Sequence, residues 1–188
     1  MEQKLYDTVT DCPVIAAIKD DSGLERCLDS DIQIIFVLYG DIVSIPEIVD
    51  RIKKKGKIAM VHADLISGLS GKEIAIDFLK RSTQADGIIS TKPSMIRRAK
   101  ELGLYTVMRF FVLDSLSFEN IEKQLVSVKP DFIEVLPGVM PKIIRRVCKR
   151  VRTHLIAGGL ISDKEDVMAA LDAGAIAVSS TNQKVWLM

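Results

Sequence analysis

The stretch FIEVLPGVMPKIIRRVCKRVRTHLIAGG, residues 132–159, decides the fold. It opens and closes on short, near-continuously apolar runs, 132–136 and 154–157. Such runs are the mark of strands buried on both faces, as in a parallel sheet. Between them, 141–152 has helical periodicity with Pro141 at its first position, where a missing N–H costs nothing. Strand, helix, strand in under thirty residues is the βαβ crossover that parallel pairing requires.

The same alternation extends in both directions. Further strands are expected at 14–18, 34–38, 58–62, 87–90, 105–110 and 175–179. Helical patterns lie at 45–55, 72–82, 94–102, 117–128 and 163–173, with stops at Gly56, Gly103 and Gly174. Eight strands alternating with helices read as an α/β fold, a compact TIM-type (β/α)8 barrel, with residues 1–188 as one domain. At about 23 residues per unit, against about 250 for a typical whole barrel, loop insertions must be few. Only nine residues follow Ser179, so the last helical unit is truncated, and Val185-Trp186-Leu187-Met188 either caps the barrel or lies in a subunit interface. A doubly wound open sheet is the rival architecture, but no G-x-G-x-x-G follows the first strand.

Composition narrows the functional classes. The chain is 48% hydrophobic and 27% charged, which is ordinary for a globular protein and argues against extended disorder. A net charge of +1 gives no global polyanion-binding signature, so such a partner must be met by a local patch. Cys12, Cys27 and Cys148 form no Cys-x-x-Cys, and with only His62 and His154 as imidazoles no metal site is expected. The acidic N-terminal segment is unlike a signal peptide, and no apolar run is long enough to span a bilayer. A cytoplasmic protein without a membrane partner is the expectation.

In barrels of this kind ligands bind at the C-terminal ends of the strands, and the loops after strands seven and eight recur as a phosphate site. Gly158 and Gly159 stand in the first of these loops, where the absence of a Cβ lets backbone N–H groups approach an anion. Ser179 and Ser180 stand at the end of strand eight, and a short helix after them could aim its N-terminus at the anion. The blander reading of Gly158-Gly159 is a tight turn. Glu134 interrupts an apolar strand and needs a partner, for which Lys92 and Arg109 on the two preceding strands are candidates. It is either a structural ion pair in the mouth or a hydroxyl acceptor for a polyol flanked by cations, in which case Asp64, Lys92, Arg109 and Glu134 together shape the polyol end. His62 shares a side of its strand with Asp64 and is either packed or in contact with ligand.

No catalytic set emerges: G-x-S-x-G, H-E-x-x-H and the calcium-loop pattern are all absent. Lys19 or Lys92 could form a Schiff base as in barrel aldolases, without a pattern to support it. The more distinctive feature is a stretch from Val135 to Ser162 with no acidic residue. Lys142, Arg145, Arg146, Lys149 and Arg150 fall on one helical face, opposite Ile143, Ile144, Val147, Cys148 and Val151. Such a stripe is a solvated surface, a subunit contact, or a match for a phosphate backbone. Lys53, Lys54, Lys55 and Lys57, and Arg97, Arg98 and Lys100, make two smaller clusters. No aromatic residue interleaves with the long stripe, so base stacking in the manner of an RRM is not expected.

Five stretches together carry a family resemblance: V-H-A-D-L-I-S-G-L-S (61–70), I-I-S-T-K (88–92), A-K-E-L-G-L-Y-T-V-M-R-F-F-V-L-D-S (99–115), E-V-L-P-G-V-M-P (134–141) and A-G-G-L-I (157–161). They resemble the glycerol uptake operon antiterminator regulatory proteins over essentially the whole chain. The resemblance implies a barrel without known catalytic activity and without a cofactor. It implies glycerol 3-phosphate as effector ligand and leader mRNA as partner, with transcription allowed to pass a terminator. A homo-oligomer is left open. The alternative is a barrel enzyme, an isomerase, synthase or lyase, acting on a small phosphorylated metabolite, with Asp64 and Glu134 as its acid/base pair.

Overall fold

The computed structural model describes residues 2–188, with side chains from Leu5 onward. Eight parallel strands close on themselves in sequence order: β1 (Val14–Ile18), β2 (Ile34–Val37), β3 (Ile58–His62), β4 (Gly87–Ser90), β5 (Tyr105–Phe111), β6 (Phe132–Leu136), β7 (His154–Gly158) and β8 (Ala177–Ser180). Closure is made by β1 against β8, with Val14 opposite Val178 and Ala16 opposite Ser180. The open-sheet alternative is thereby excluded.

Seven helices follow the first seven strands: α2 (Asp21–Leu28), α3 (Ile45–Lys54), α4 (Ile74–Ser82), α5 (Pro93–Glu101), α6 (Ser115–Val128), α7 (Pro141–Arg150) and α8 (Lys164–Asp172). Their starts follow local chemistry. Asp20, Asp114 and Asp163 accept a backbone N–H from the first turns of α2, α6 and α8, while Pro46, Pro93 and Pro141 stand in the first turns of α3, α5 and α7. After β8 there is only a 3-10 turn, Val185–Leu187. Val185 and Trp186 are buried in the outer core, and the Trp186 indole donates to the Ser180 carbonyl at 2.7 Å. This turn takes the place of an eighth outer helix.

Strand alternation divides the core in two. Ala16 and Ile18 face the helices, whereas Ile15 and Ala17 face the lumen with Ile34, Phe36, Met60, Ile89, Val107, Phe132, Ile156 and Ala177. The lumen cluster also contains Leu5 and Val9 of α1 (Glu2–Asp11), which closes the N-terminal end of the barrel. Gly87 makes room inside: a Cβ there would lie 2.6 Å from Met60 Cε and 2.4 Å from the Tyr105 carbonyl oxygen.

Two helices, α1 and α2, are absent from the sequence reading, and the eighth strand is shifted to Ala177–Ser180 from the expected 175–179. Gly174, at φ 108°, ends the turn after α8, and Ala175 stays in the connection.

Candidate functional site

The apolar lumen ends at its C-terminal mouth in a polar layer. Arg109 on β5 and Glu134 on β6 are direct register partners, and Arg109 Nε donates to Glu134 Oε2 at 2.6 Å. From β8, Ser179 Oγ donates to Glu134 Oε1 at 2.5 Å. Both oxygens of a carboxylate that is only 1% exposed are thus engaged. Gly158, the register partner of Ser179, makes this possible. A Cβ on it would sit 2.5 Å from Glu134 Oε1 and 2.7 Å from Ser179 Oγ.

Above this layer lies a cavity of about 300 Å³, lined by Arg109, Glu134, Leu136, residues 159–162 and 179–181. That is the lower end of the size range of small-molecule sites. Gly159 and Leu160 both have left-handed backbone, φ 77° and 64°. For a leucine, and one 75% exposed, this conformation is rare and is held by the loop around it. Ser180 is committed elsewhere: its hydroxyl donates to the Ile161 carbonyl at 2.7 Å and accepts from Asn182 N at 3.0 Å. Asn182 Nδ2 adds a bond to the Ser162 carbonyl. The two loops are therefore tied to each other by side chains.

Asp64 and Lys92 form a second group, on the β3–β4 side of the mouth. Asp64 accepts from Thr91 N at 2.7 Å, Thr91 Oγ1 at 3.0 Å and Ser90 Oγ at 3.1 Å, and Lys92 Nζ lies 3.6 Å away. Burial pushes the Asp64 carboxyl up, but the bonds from Thr91 and Ser90 outweigh it and hold the group below the usual range. Lys92 is therefore the partner of Asp64, and Glu134 takes Arg109 and Ser179. A Cβ on Gly71 would lie 2.5 Å from Lys92 Nζ, so the glycine leaves the amine its room at the end of loop 65–71. The middle of that loop is fixed by Ser67 N to Gly40 O at 2.9 Å and Ile42 N to Ser67 O at 3.1 Å.

His62, at the end of β3, is 2% exposed, and its Nδ1 has no hydrogen-bond partner. Burial, reinforced by the Arg109 cation, lowers its pKa to about 3, so the imidazole is neutral at pH 7.

The basic surface is sorted by ion pairing. Lys53 pairs with Asp86, Lys54 with Asp50, Lys55 with Asp29, Arg98 with Asp77 and Glu101, and Lys100 with Asp131. Lys57 is buried and donates to the carbonyls of Ser30 and Ile32. By contrast, Lys142, Arg145, Arg146, Lys149 and Arg150 on α7 are all exposed, and none pairs with a carboxylate among the described residues. An aromatic ring does meet this stripe, from a neighbouring helix: Phe118 of α6 lies 4.5 and 4.8 Å from the guanidinium carbons of Arg146 and Arg150. No sequence proximity signals that contact.

Among the described residues, no cluster of three or more His, Cys, Asp or Glu could hold a metal, and no helix is long and apolar enough to cross a membrane.

Residues 14–186 match the model of the family described as glycerol-3-phosphate responsive antiterminators. The chain is 51% identical over 176 residues to the uncharacterized protein YgcP of Escherichia coli K12, covering 94% of this chain and 92% of that one. Among solved structures, it resembles the glycerol uptake operon antiterminator regulatory protein of Listeria monocytogenes. There the TM-score is 0.91 at 32% identity, over 94% of this chain and 95% of the other. It also resembles a glycerol uptake operon antiterminator-related protein of Thermotoga maritima, with TM-score 0.81 at 32% identity, over 93% and 98% of the two chains.

Proposed function

The chain belongs to the glycerol-3-phosphate responsive antiterminator family, and from that premise we propose an effector-dependent, RNA-binding regulator of transcription. It binds glycerol 3-phosphate and acts on leader mRNA of glycerol-utilisation genes so that transcription passes a terminator. The observation that carries this reading is the pocket where the buried Arg109–Glu134 pair meets the loops after β7 and β8. It offers a cation and a carboxylate for a polyol phosphate within one small cavity.

In this reading the backbone of residues 158–160, with Ser179 and Ser180 shaping the loop ends, faces the phosphate. Arg109 and Glu134 meet the glycerol end; Asp64 and Lys92, which do not line this cavity, flank the mouth from the β3–β4 side. The unpaired face of α7 takes the RNA backbone. Action on leader mRNA places the protein in the cytoplasm. Effector must favour the RNA-competent state, or it shifts nothing. Because loop 65–71 is bonded to the β2–α3 loop, any switch there moves both loops together. Rearrangement of an oligomer is the other route.

The enzyme alternative needs Asp64 and Glu134 as a proton-transfer pair. Each already accepts several fixed hydrogen bonds, an arrangement that supports binding rather than proton exchange. Calorimetric titration with glycerol 3-phosphate, against glycerol and inorganic phosphate, tests the effector site. Binding much tighter than either fragment is expected. Equal or absent binding in a folded sample overturns it.

A further inference from the structure

A cleft lies at the end of the barrel opposite the effector pocket. It has a volume of about 560 Å³. Its walls come from the C-terminal ends of α5 and α6, the connection after α7, the starts of β6 and β7, and α1. Lys100, Lys129 and Arg152 supply cations, and the half-buried Tyr6 and exposed His154 supply rings, backed by the buried Phe132. The Tyr6 and His154 ring centres are 4.6 Å apart, and those of Phe132 and His154 6.2 Å. Asp131 is the single acid in the lining; it accepts from Thr106 N and Oγ1 at 2.8 and 2.6 Å and pairs with Lys100 at 3.6 Å, which leaves Lys129 and Arg152 as the cations without a carboxylate partner among the described residues.

Helix C-termini attract cations on any barrel, which accounts for Lys100 and Lys129. It does not account for the aromatic wall, nor for Arg152, which lies beyond α7 and has no carboxylate partner among the described residues. Cations beside accessible π faces are the recognition chemistry of single-stranded nucleic acid: the cations track phosphates and the rings stack bases. The cleft is also continuous with the α7 stripe. Arg150, Val151, Arg152 and Thr153, with Glu122, Leu125 and Val126 of α6, line a shallow depression beside α7, and Arg152 and Thr153 continue into the cleft.

We propose that this cleft is a subsite for single-stranded RNA. One base stacks on Tyr6, with the His154 ring, tilted 44° from it, meeting the base edge; its flanking phosphates meet Lys129 and Arg152, and the strand continues along α7. The inference rests on the reading that the chain binds RNA, and adds to it where a base is held. It also places RNA and effector at opposite ends of the same two strands. Phe132 and His154 begin β6 and β7, while Glu134 and Gly158 stand further along those strands, at the effector mouth.

The test uses the full chain with glycerol 3-phosphate present. The probe is a fluorescent single-stranded 20-nucleotide RNA of mixed sequence, followed by anisotropy over a range of salt. Lys129→Glu with Arg152→Glu should weaken binding and flatten the salt dependence by roughly 0.7 in log–log slope per lost phosphate contact. Tyr6→Leu should weaken binding about tenfold at unchanged slope, and Tyr6→Phe should retain it. Thermal melts confirm that each variant is folded. If Arg145→Glu with Lys149→Glu weakens binding while the cleft variants leave it intact, the cleft inference falls and the α7 reading stands. If the wild-type chain does not bind the 20-mer, both fall. A nucleoside monophosphate that competes as strongly as the 20-mer would make the cleft a mononucleotide site and overturn the strand assignment.

Discussion

Arg109 and Glu134 face each other across β5 and β6, joined by a 2.6 Å bond inside the barrel mouth with only 8% and 1% of their side chains exposed. A pair so enclosed contributes little net stability, because desolvation offsets its attraction, but removing one partner strands a buried charge. Arg109→Met should therefore destabilise the fold by about 3–5 kcal/mol in urea denaturation. The double variant Arg109→Met, Glu134→Leu should recover most of that loss. Both should lose glycerol 3-phosphate binding. A double variant as unstable as the single would show that the polar layer, not the unpaired carboxylate, sets the cost.

Gly158 gives the most direct steric test of the site. Adding one methyl group meets both Glu134 Oε1 and Ser179 Oγ at distances no Cβ tolerates. Gly158→Ala should cost about 1–3 kcal/mol and abolish effector binding by displacing the carboxylate. Gly159→Ala meets only Leu136 carbons, but at positive φ, so a smaller loss on the order of 1 kcal/mol is expected. Denaturant midpoints and calorimetry on the two variants would separate these outcomes.

The strands were legible because each is apolar on both sides, and four of their eight ranges coincide with the sequence reading. Helix α1 was not, since its buried face is little more than Leu5 and Val9, and its partner is the barrel lumen rather than a neighbouring helix. In the site, Glu134 could be recognised as needing a partner from its apolar strand. The choice between Lys92 and Arg109 could not be made, because it depends on whether each side chain lies within the lumen or beyond the strand end. The three basic clusters looked alike in sequence. Acids as distant as Asp86 from Lys53, or Asp77 from Arg98, pair with cations in two of them only after folding, and Arg97 is left exposed without a carboxylate partner among the described residues.

That distinction has a measurable consequence. Arg145→Glu with Lys149→Glu breaks no ion pair, so the melting curve should stay within about 0.5 kcal/mol of the wild type. RNA affinity should fall and its salt dependence flatten. Arg98→Glu should show the reverse: a lower melting temperature, from the loss of the Asp77 and Glu101 contacts, with RNA affinity little changed. An effect per reversed charge as large for Arg98→Glu as for the α7 pair would mean that net charge alone governs RNA binding.

Trp186, the single tryptophan, offers a built-in reporter. Its indole N–H is bonded to the carbonyl of Ser180, a residue lining the effector cavity. Glycerol 3-phosphate should produce a saturable change in tryptophan emission, and glycerol alone should not. A calorimetric binding signal without any emission change would place the ligand away from the β8 loop.

His62 should govern the acid limb of stability. In the unfolded chain an imidazole binds a proton near pH 6.5, whereas in the folded barrel burial and the Arg109 cation delay this to about pH 3. Between those values the unfolded state holds more protons, so stability is fully present above pH 6.5 and is lost as pH falls toward 3. The loss is up to about 1.4 kcal/mol per pH unit over that window. Asp64 opposes the Arg109 effect without reversing it, and its own depressed carboxyl adds a further loss below about pH 4. Urea midpoints measured from pH 7 to pH 4 should therefore slope steeply in the wild type. In His62→Gln, which has no titrating group there, the slope should be much shallower. Parallel slopes in the two proteins would mean that His62 takes up its proton in the folded state and that the barrel mouth admits water to it.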